Sequence, residues 1–265
     1  MNQDELTAPS VQAHLDDLLL PWRLEVVAET DSTNTRLKER ARQGEAEGLV
    51  LVAGCQTAGR GRQGRKFVSP AGSGVYISLL LRPGQPMDLC TDFTAAAAVC
   101  TARAVERACG LRPDIKWVND LMAGGKKLCG ILTEGILDPD GAAVVVGIGV
   151  NVAPLQNAGP ELAAIATSLQ EASGKTVPRS LLAALILSEF DRWYADPAGS
   201  RPAMVDEYRR RMFLTGRQVT LSTDPQQQPH TVVGVDDQFH LLVRSPGGSL
   251  LTLQSGEVSV LPLTL

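Results

Sequence analysis

At 265 residues, 44% hydrophobic and 20% charged, with a formal net charge of -4 and a pI near 5.5, the chain has the make-up of an ordinary folded protein with ample core. This balance argues against disorder and against a generally basic, nucleic-acid- or membrane-binding surface, leaving room for a local cationic site. Five cysteines without a CxxC pair and three histidines without an HxxxH spacing give neither a disulfide framework nor a zinc centre. The start of the chain lacks the cationic and apolar blocks of a signal peptide, and no apolar run is long enough to span a bilayer. A cytoplasmic location and no membrane partner are expected.

Asp31 or Ser32 can cap a helix whose best formers run over 36–42 and which Gly44 can close. The apolar run 49–53 reads as a buried strand that delivers the chain into Gly59-Arg60-Gly61-Arg62-Gln63-Gly64-Arg65-Lys66. Four cations and three glycines in eight residues suit a loop that wraps an anion, because guanidinium forks match phosphate or carboxylate and glycine lets a ligand come close. A solvated basic turn is the plainer reading of the same residues. A turn at 69–73 and a strand at 74–81 follow, then an alanine-rich helix at 88–108. Strands at 114–118, 127–137 and 142–150, separated by turns at 124–125 and 138–141, predict antiparallel pairing. Helices are expected at 179–194 and 203–213. Beyond Thr215 only short strands are visible, at 219–222, 231–235, 240–243, 250–253 and 258–261. They predict a small β-barrel, with a domain boundary near Leu214 that separates 1–214 from 215–265.

Four segments form an ordered set: Asp31-Ser32-Thr33-Asn34; Gln56-Thr57-Ala58-Gly59-Arg60-Gly61-Arg62; Lys116-Trp117-Val118-Asn119-Asp120-Leu121 with Lys127-Leu128-Cys129-Gly130-Ile131-Leu132; and Gly147-Ile148-Gly149-Val150-Asn151-Val152. In this order they closely resemble the catalytic domain of biotin–protein ligases, over about residues 31–152. The resemblance implies an α+β fold. Its mixed, mainly antiparallel sheet with helices would be like that of class II aminoacyl-tRNA synthetases, followed by a small SH3-like barrel. It further implies ATP-dependent activation of biotin to biotinyl-5′-AMP and transfer of the acyl group to a lysine of the biotin carboxyl carrier protein of acetyl-CoA carboxylase. Mg²⁺ would be a cofactor and a homodimer through the sheet edge a plausible assembly. About 30 residues precede Asp31, fewer than a DNA-binding winged helix needs, so a ligase without repressor activity and without a DNA partner is expected.

Residue by residue, Ser32, Thr33 and Asn34 match the segment that lines the biotin site, with helix capping as the plainer role of Ser32. Gln56 would bond biotin. Arg60, Gly61 and Arg62 match the ligand-closing loop, while Arg65 and Lys66 read as solvated charges. Lys127 matches the catalytic lysine that bridges the biotin carboxyl group and the α-phosphate, with Arg62 beside it; the adjacent Lys126 leaves the register open. Lys116 and Asn119 would meet the nucleotide, Asp120, with Asn119 as a second candidate, would orient Mg²⁺, and Asn151 would meet the adenine edge. Trp117 reads as packing more than stacking, and Cys129 faces either the core or the site. A lipoate or octanoyl ligase and a nucleic-acid-binding module are the competing readings. The module would need aromatic residues beside the cations, and aromatics make up only 4% of the chain.

Overall fold

The computed structural model describes residues 5–83, 90–138, 141–156, 159–222, 224, 226–254 and 258–260. Seven strands form one sheet: β1 (Arg23–Val27), β2 (Leu49–Ala53), β3 (Gly74–Leu81), β4 (Asp114–Lys116), β5 (Asp120–Ala123), β6 (Lys126–Asp138) and β7 (Gly141–Asn151). They lie in the order β1-β2-β3-β7-β6-β5-β4. β1 runs parallel to β2, and every other neighbouring pair is antiparallel. A parallel pair needs a crossover, and α2 (Thr33–Arg42) supplies it. The remaining helices are α1 (Ala8–Gln12), α3 (Cys90–Cys109), α4 (Pro160–Ile165), α5 (Leu169–Ser173), α6 (Arg179–Ala195) and α7 (Pro197–Arg210).

β2 and β3 are buried at every position, because helices cover both faces of the sheet. Val50, Val52, Ile77 and Leu79 belong to the large core that contains α3 and α6, while Leu49, Leu51 and Leu80 pack with Leu37 and Ala41 of α2. Such strands read as continuous apolar runs rather than as alternations. The alanines of α3 let it lie close to both α6 and the sheet. The first two residues of the helix expected at 88–108 fall outside the described residues. α7 begins six residues earlier than expected: the Asp196 side chain accepts from the Gly199 amide at 2.9 Å, and Pro197 takes the first helical position.

The C-terminal strands β8 (Gln218–Leu221), β9 (His230–Val235), β10 (Leu241–Arg244), β11 (Leu250–Leu253) and β12 (Val258–Val260) form a second antiparallel sheet in the order β11-β10-β9-β8-β12. A closed barrel would need β11 to pair with β12. Among the described residues these two strands instead end an open sheet. This sheet is fastened to the first. The Phe213 amide donates to the Ile115 carbonyl at 2.8 Å, and the Trp117 indole donates to the Phe239 carbonyl at 2.8 Å. Among the described residues, no helix is long and apolar enough to cross a membrane.

Candidate active site

A cleft of about 250 Å³ opens where the start of α2, the loop after β2 and the ends of β4 to β7 converge. Ser32 leaves the helix in an extended conformation (φ -159°, ψ 129°), and its hydroxyl accepts from the Thr35 amide. Capping and lining are therefore compatible, since Ser32 does the first while facing the cleft. The Gln56 side-chain oxygen accepts from the Thr33 amide at 2.9 Å and from its hydroxyl at 3.1 Å. The buried Ser78 hydroxyl lies 2.7 Å from both Thr33 Oγ1 and Asn34 Oδ1. It has one proton and so donates to one of them. Asn34 Nδ2 donates to the Leu132 carbonyl and to Glu134 Oε2, both at 3.0 Å.

The Gly/Arg-rich loop is folded as a hairpin over this floor. At its base the Gln56 amide donates to the Ser69 carbonyl at 2.9 Å, and Gln56 Nε2 donates to Ser69 Oγ at 3.0 Å. Further out, the Phe67 amide donates to the Gly59 carbonyl and the Gly61 amide to the Arg65 carbonyl, at 2.9 and 2.7 Å. The tip is a short 3-10 turn, Arg62–Gly64, in which Gln63 and Gly64 take left-handed φ of 54° and 74°. Arg60 Nη2 stands 3.5 Å from Glu134 Oε1, and Arg62 Nη1 donates to Asn119 Oδ1 at 3.3 Å.

Glycines shape the floor. Gly130 of β6 pairs with Gly149 of β7, and the Phe67 ring occupies the trough they leave: a Cβ at Gly149 would sit 2.5 Å from that ring, and one at Gly130 3.1 Å from it. On the far wall Lys127 Nζ lies 2.7 Å from Asp120 Oδ1, an ion pair by distance, although no well-directed hydrogen bond reaches that buried oxygen. Lys126 turns away to the Ala163 carbonyl, and Lys127 is the one of the pair that lines the cleft. Asn119 Nδ2 donates to the Ile131 carbonyl at 3.0 Å.

Among the described residues the lining carries six cations, Arg60, Arg62, Arg65, Lys66, Lys116 and Lys127, against the single carboxylate of Asp120. In a chain of net charge -4 this is a concentrated positive field. Behind it stands Glu134. Burial opposes ionisation of its carboxyl, yet the Lys38 ammonium and the Asn34 amide outweigh burial and hold it below the usual carboxylate range. Burial pushes the Cys129 thiol far up, and with no exposed surface it faces the core and is no nucleophile.

Of the residues expected to form the site, Ser32, Thr33, Asn34, Gln56, Arg60, Gly61, Arg62, Lys116, Asn119, Asp120 and Lys127 all line this one cleft. Asn151 is not brought there. Its Nδ2 donates to the Thr167 carbonyl at 3.0 Å, and the Thr167 amide in turn donates to the Lys127 carbonyl at 2.9 Å, so it steadies the backbone behind Lys127. Arg65 and Lys66, read as solvated charges, also face the cleft, as do Phe67, Val258 and Ser259, which sequence reasoning left out. The spacing of Gly147 and Gly149 carried a signal, since glycines at alternate strand positions clear one face for a close approach. Nothing local marks Val258 and Ser259, which arrive from β12.

The family model for the biotin/lipoate A/B protein ligase family matches residues 26–151. The biotin--[acetyl-CoA-carboxylase] ligase of Mycobacterium tuberculosis is 32% identical over 97% of this chain and 98% of its own length. The chain belongs to the biotin–protein ligases. The biotin protein ligase of Aquifex aeolicus in complex with biotin and ATP superposes with a TM-score of 0.76 at 29% identity, over 90% of this chain and 98% of that one. The bifunctional ligase/repressor BirA of Bacillus subtilis is 42% identical over 62% of this chain and 51% of its own length. This chain thus spans about half the length of that relative. The four motif segments and the cleft fall inside or at the edge of the region matched by the family model, except for Val258 and Ser259.

Proposed function

We propose that this chain activates biotin with ATP to biotinyl-5′-AMP and transfers the biotinyl group to a lysine of the biotin carboxyl carrier protein of acetyl-CoA carboxylase. The observation that carries the reading is the convergence of the Ser32–Asn34 donors, Gln56, the arginine hairpin and Lys127 on one cationic cleft. In the first half-reaction a biotin carboxylate oxygen attacks the α-phosphorus of ATP and pyrophosphate leaves. Two anions must approach each other, so fixed cations where charge accumulates lower the barrier. Lys127 and Arg62 supply them. In the second, the neutral amine of the carrier lysine attacks the acyl carbon, AMP departs with the bonding pair, and the amine proton passes to solvent or AMP. Ser32, Thr33, Asn34 and Gln56 would hold the ureido ring with paired donors and acceptors. Arg60 and Gly61 would retain the adenylate, and Lys116 and Asn119 would meet the nucleotide.

A single buried carboxylate oxygen lacking a well-directed hydrogen bond, Asp120 Oδ1, fits Mg²⁺, which is commonly held by one or two carboxylates together with substrate phosphates. Asp120, with Asn119 as a second candidate, would hold it, and when bound it would neutralise phosphate charge. Among the described residues no cluster of three or more ligating side chains exists to hold a metal without the nucleotide. We further read the C-terminal sheet over 215–265 as a separate SH3-like unit, the free edge of β1 as a homodimer contact, and the cytoplasm as the working compartment. Incubation with ATP, Mg²⁺ and carrier domain, supplying biotin or lipoate separately, tests the main reading by mass spectrometry of the carrier. A gain of biotin supports it, and acylation by lipoate alone overturns it.

A further inference from the structure

Glu134 touches two parts of the cleft that come from distant stretches of sequence, although no motif includes it. It sits on β6 with its side chain 18% exposed, facing the start of α2. Oε2 accepts from Asn34 Nδ2 at 3.0 Å, while Oε1 lies 2.5 Å from Lys38 Nζ and 3.5 Å from Arg60 Nη2. All three neighbours present donors. A carboxylate is the side chain that meets donors on both oxygens, because an ionised carboxyl has only acceptors. The cations would also hold it ionised at neutral pH, in keeping with a carboxyl lying below its usual range.

The arrangement has two consequences. With Nδ2 directed to Glu134 and the Leu132 carbonyl, the Asn34 amide turns Oδ1 toward Ser78, so its orientation is fixed. The guanidinium of Arg60 also finds a fixed anion beneath the hairpin, to which that arm of the loop is drawn. We propose that Glu134 is a positioning residue of the ligase reaction: it sets the amide of Asn34 in the biotin pocket and holds the arginine hairpin down through Arg60. It touches no reacting atom and acts through those two residues. The inference rests on the functional reading above.

Glu134→Gln is the nearest isostere, and it places an amide donor against Asn34 or against the two cations. Hydrogen bonds to charged groups are worth about 1.5–3 kcal/mol, so KM for biotin should rise about 10- to 100-fold, and biotinyl-5′-AMP should leave the enzyme faster, while kcat at saturation changes little. Arg60→Gln and the double variant complete a cycle. If Glu134 acts in part through Arg60, the double variant releases adenylate more slowly than the product of the two single effects, whereas an independent structural role gives fully multiplied effects. Should Glu134→Gln fail to fold, the pair Lys38→Met/Glu134→Met leaves neither charge of that ion pair unmatched and carries the same measurements. Unchanged KM and release in a folded variant, or multiplied effects in the cycle, overturn the proposal. A wild-type protein that binds no biotin overturns the functional reading and this one with it; wild-type binding matched by Glu134→Gln overturns this one alone.

Discussion

Gly147 has no room for a side chain: a Cβ there would stand 2.0 Å from Asn34 Oδ1. The neighbouring Asn34 side chain is tied to Ser78, Leu132 and Glu134, so it has little freedom to give way. Gly147→Ala should therefore cost about 1–3 kcal/mol of stability, the range for overpacking a filled interior. If biotin sits in the cleft as proposed, the change should weaken its binding further, because the displaced amide lines that cleft. Calorimetric titration with biotin beside a urea melt checks both, and a variant that binds biotin as tightly as the parent would rule out this role for Asn34. Legibility at this scale follows the motifs. Lys127, Arg62 and Gln56 stand out in sequence because they fall in the segments that resemble the family's motifs. Glu134 and Ser78 do not, since a glutamate or a serine in an apolar strand looks like any solvent-facing residue until α2 is seen to cover it. Asn151 is a different case, an amide in a strong motif whose Nδ2 donates to the Thr167 carbonyl and which is not among the residues lining the cleft.

Among the elements, the hairpin over the cleft is anchored at its base by Ser69. Ser69 Oγ accepts from Gln56 Nε2 and donates to the Phe67 carbonyl, each at 3.0 Å, and Ser69 is buried. Ser69→Ala removes both bonds while leaving every cation of the loop in place. At about 0.5–1.5 kcal/mol for a neutral hydrogen bond, release of biotinyl-5′-AMP should accelerate roughly two- to tenfold. The arginines of the tip should also be cut sooner by trypsin in the presence of biotin and ATP. Unchanged release and cleavage would show that the base does not govern the loop. The helices α2, α3 and α6 and the strands β2, β3, β6 and β7 were readable because their apolar runs, caps and glycines agree. β1 was not, since Arg23 and Glu25 make an exposed edge strand look like a polar loop, and its parallel pairing depends on a partner 26 residues away. β5 hid inside a ligand motif, and α4 and α5 are too short for a helical period to register.

For the whole molecule, ion pairs between elements decide behaviour in acid. Glu207 of α7 receives Arg103 of α3 at 2.5 Å and the buried Arg211 at 2.8 Å, joining the helical layer to the segment that leads into the C-terminal sheet. Burial works against its ionised form, but the two arginines outweigh it and hold its carboxyl below the ordinary value of 4.5. Glu134 behaves alike beside Lys38 and Asn34. A carboxyl whose pKa is lower in the folded state binds fewer protons there than in the unfolded chain. Its contribution is therefore complete above the unfolded value, near 4.5, and is lost as pH falls through the lower, folded one. The protein should hold its stability against these two groups from pH 7 to about 5 and lose it progressively below 4.5, as read from urea midpoints across that range. Glu207→Gln removes one such group and leaves the buried Arg211 with Glu106, 2.5 Å away, as its remaining carboxylate partner. Its stability should be lower at neutral pH by about 1–2 kcal/mol, because Arg211 keeps Glu106 and the partly exposed Arg103 is screened by solvent, and its decline in acid shallower. A variant that parallels the parent's acid decline, offset by a constant amount, would mean that Glu207 is no more acidic in the fold than in the unfolded chain.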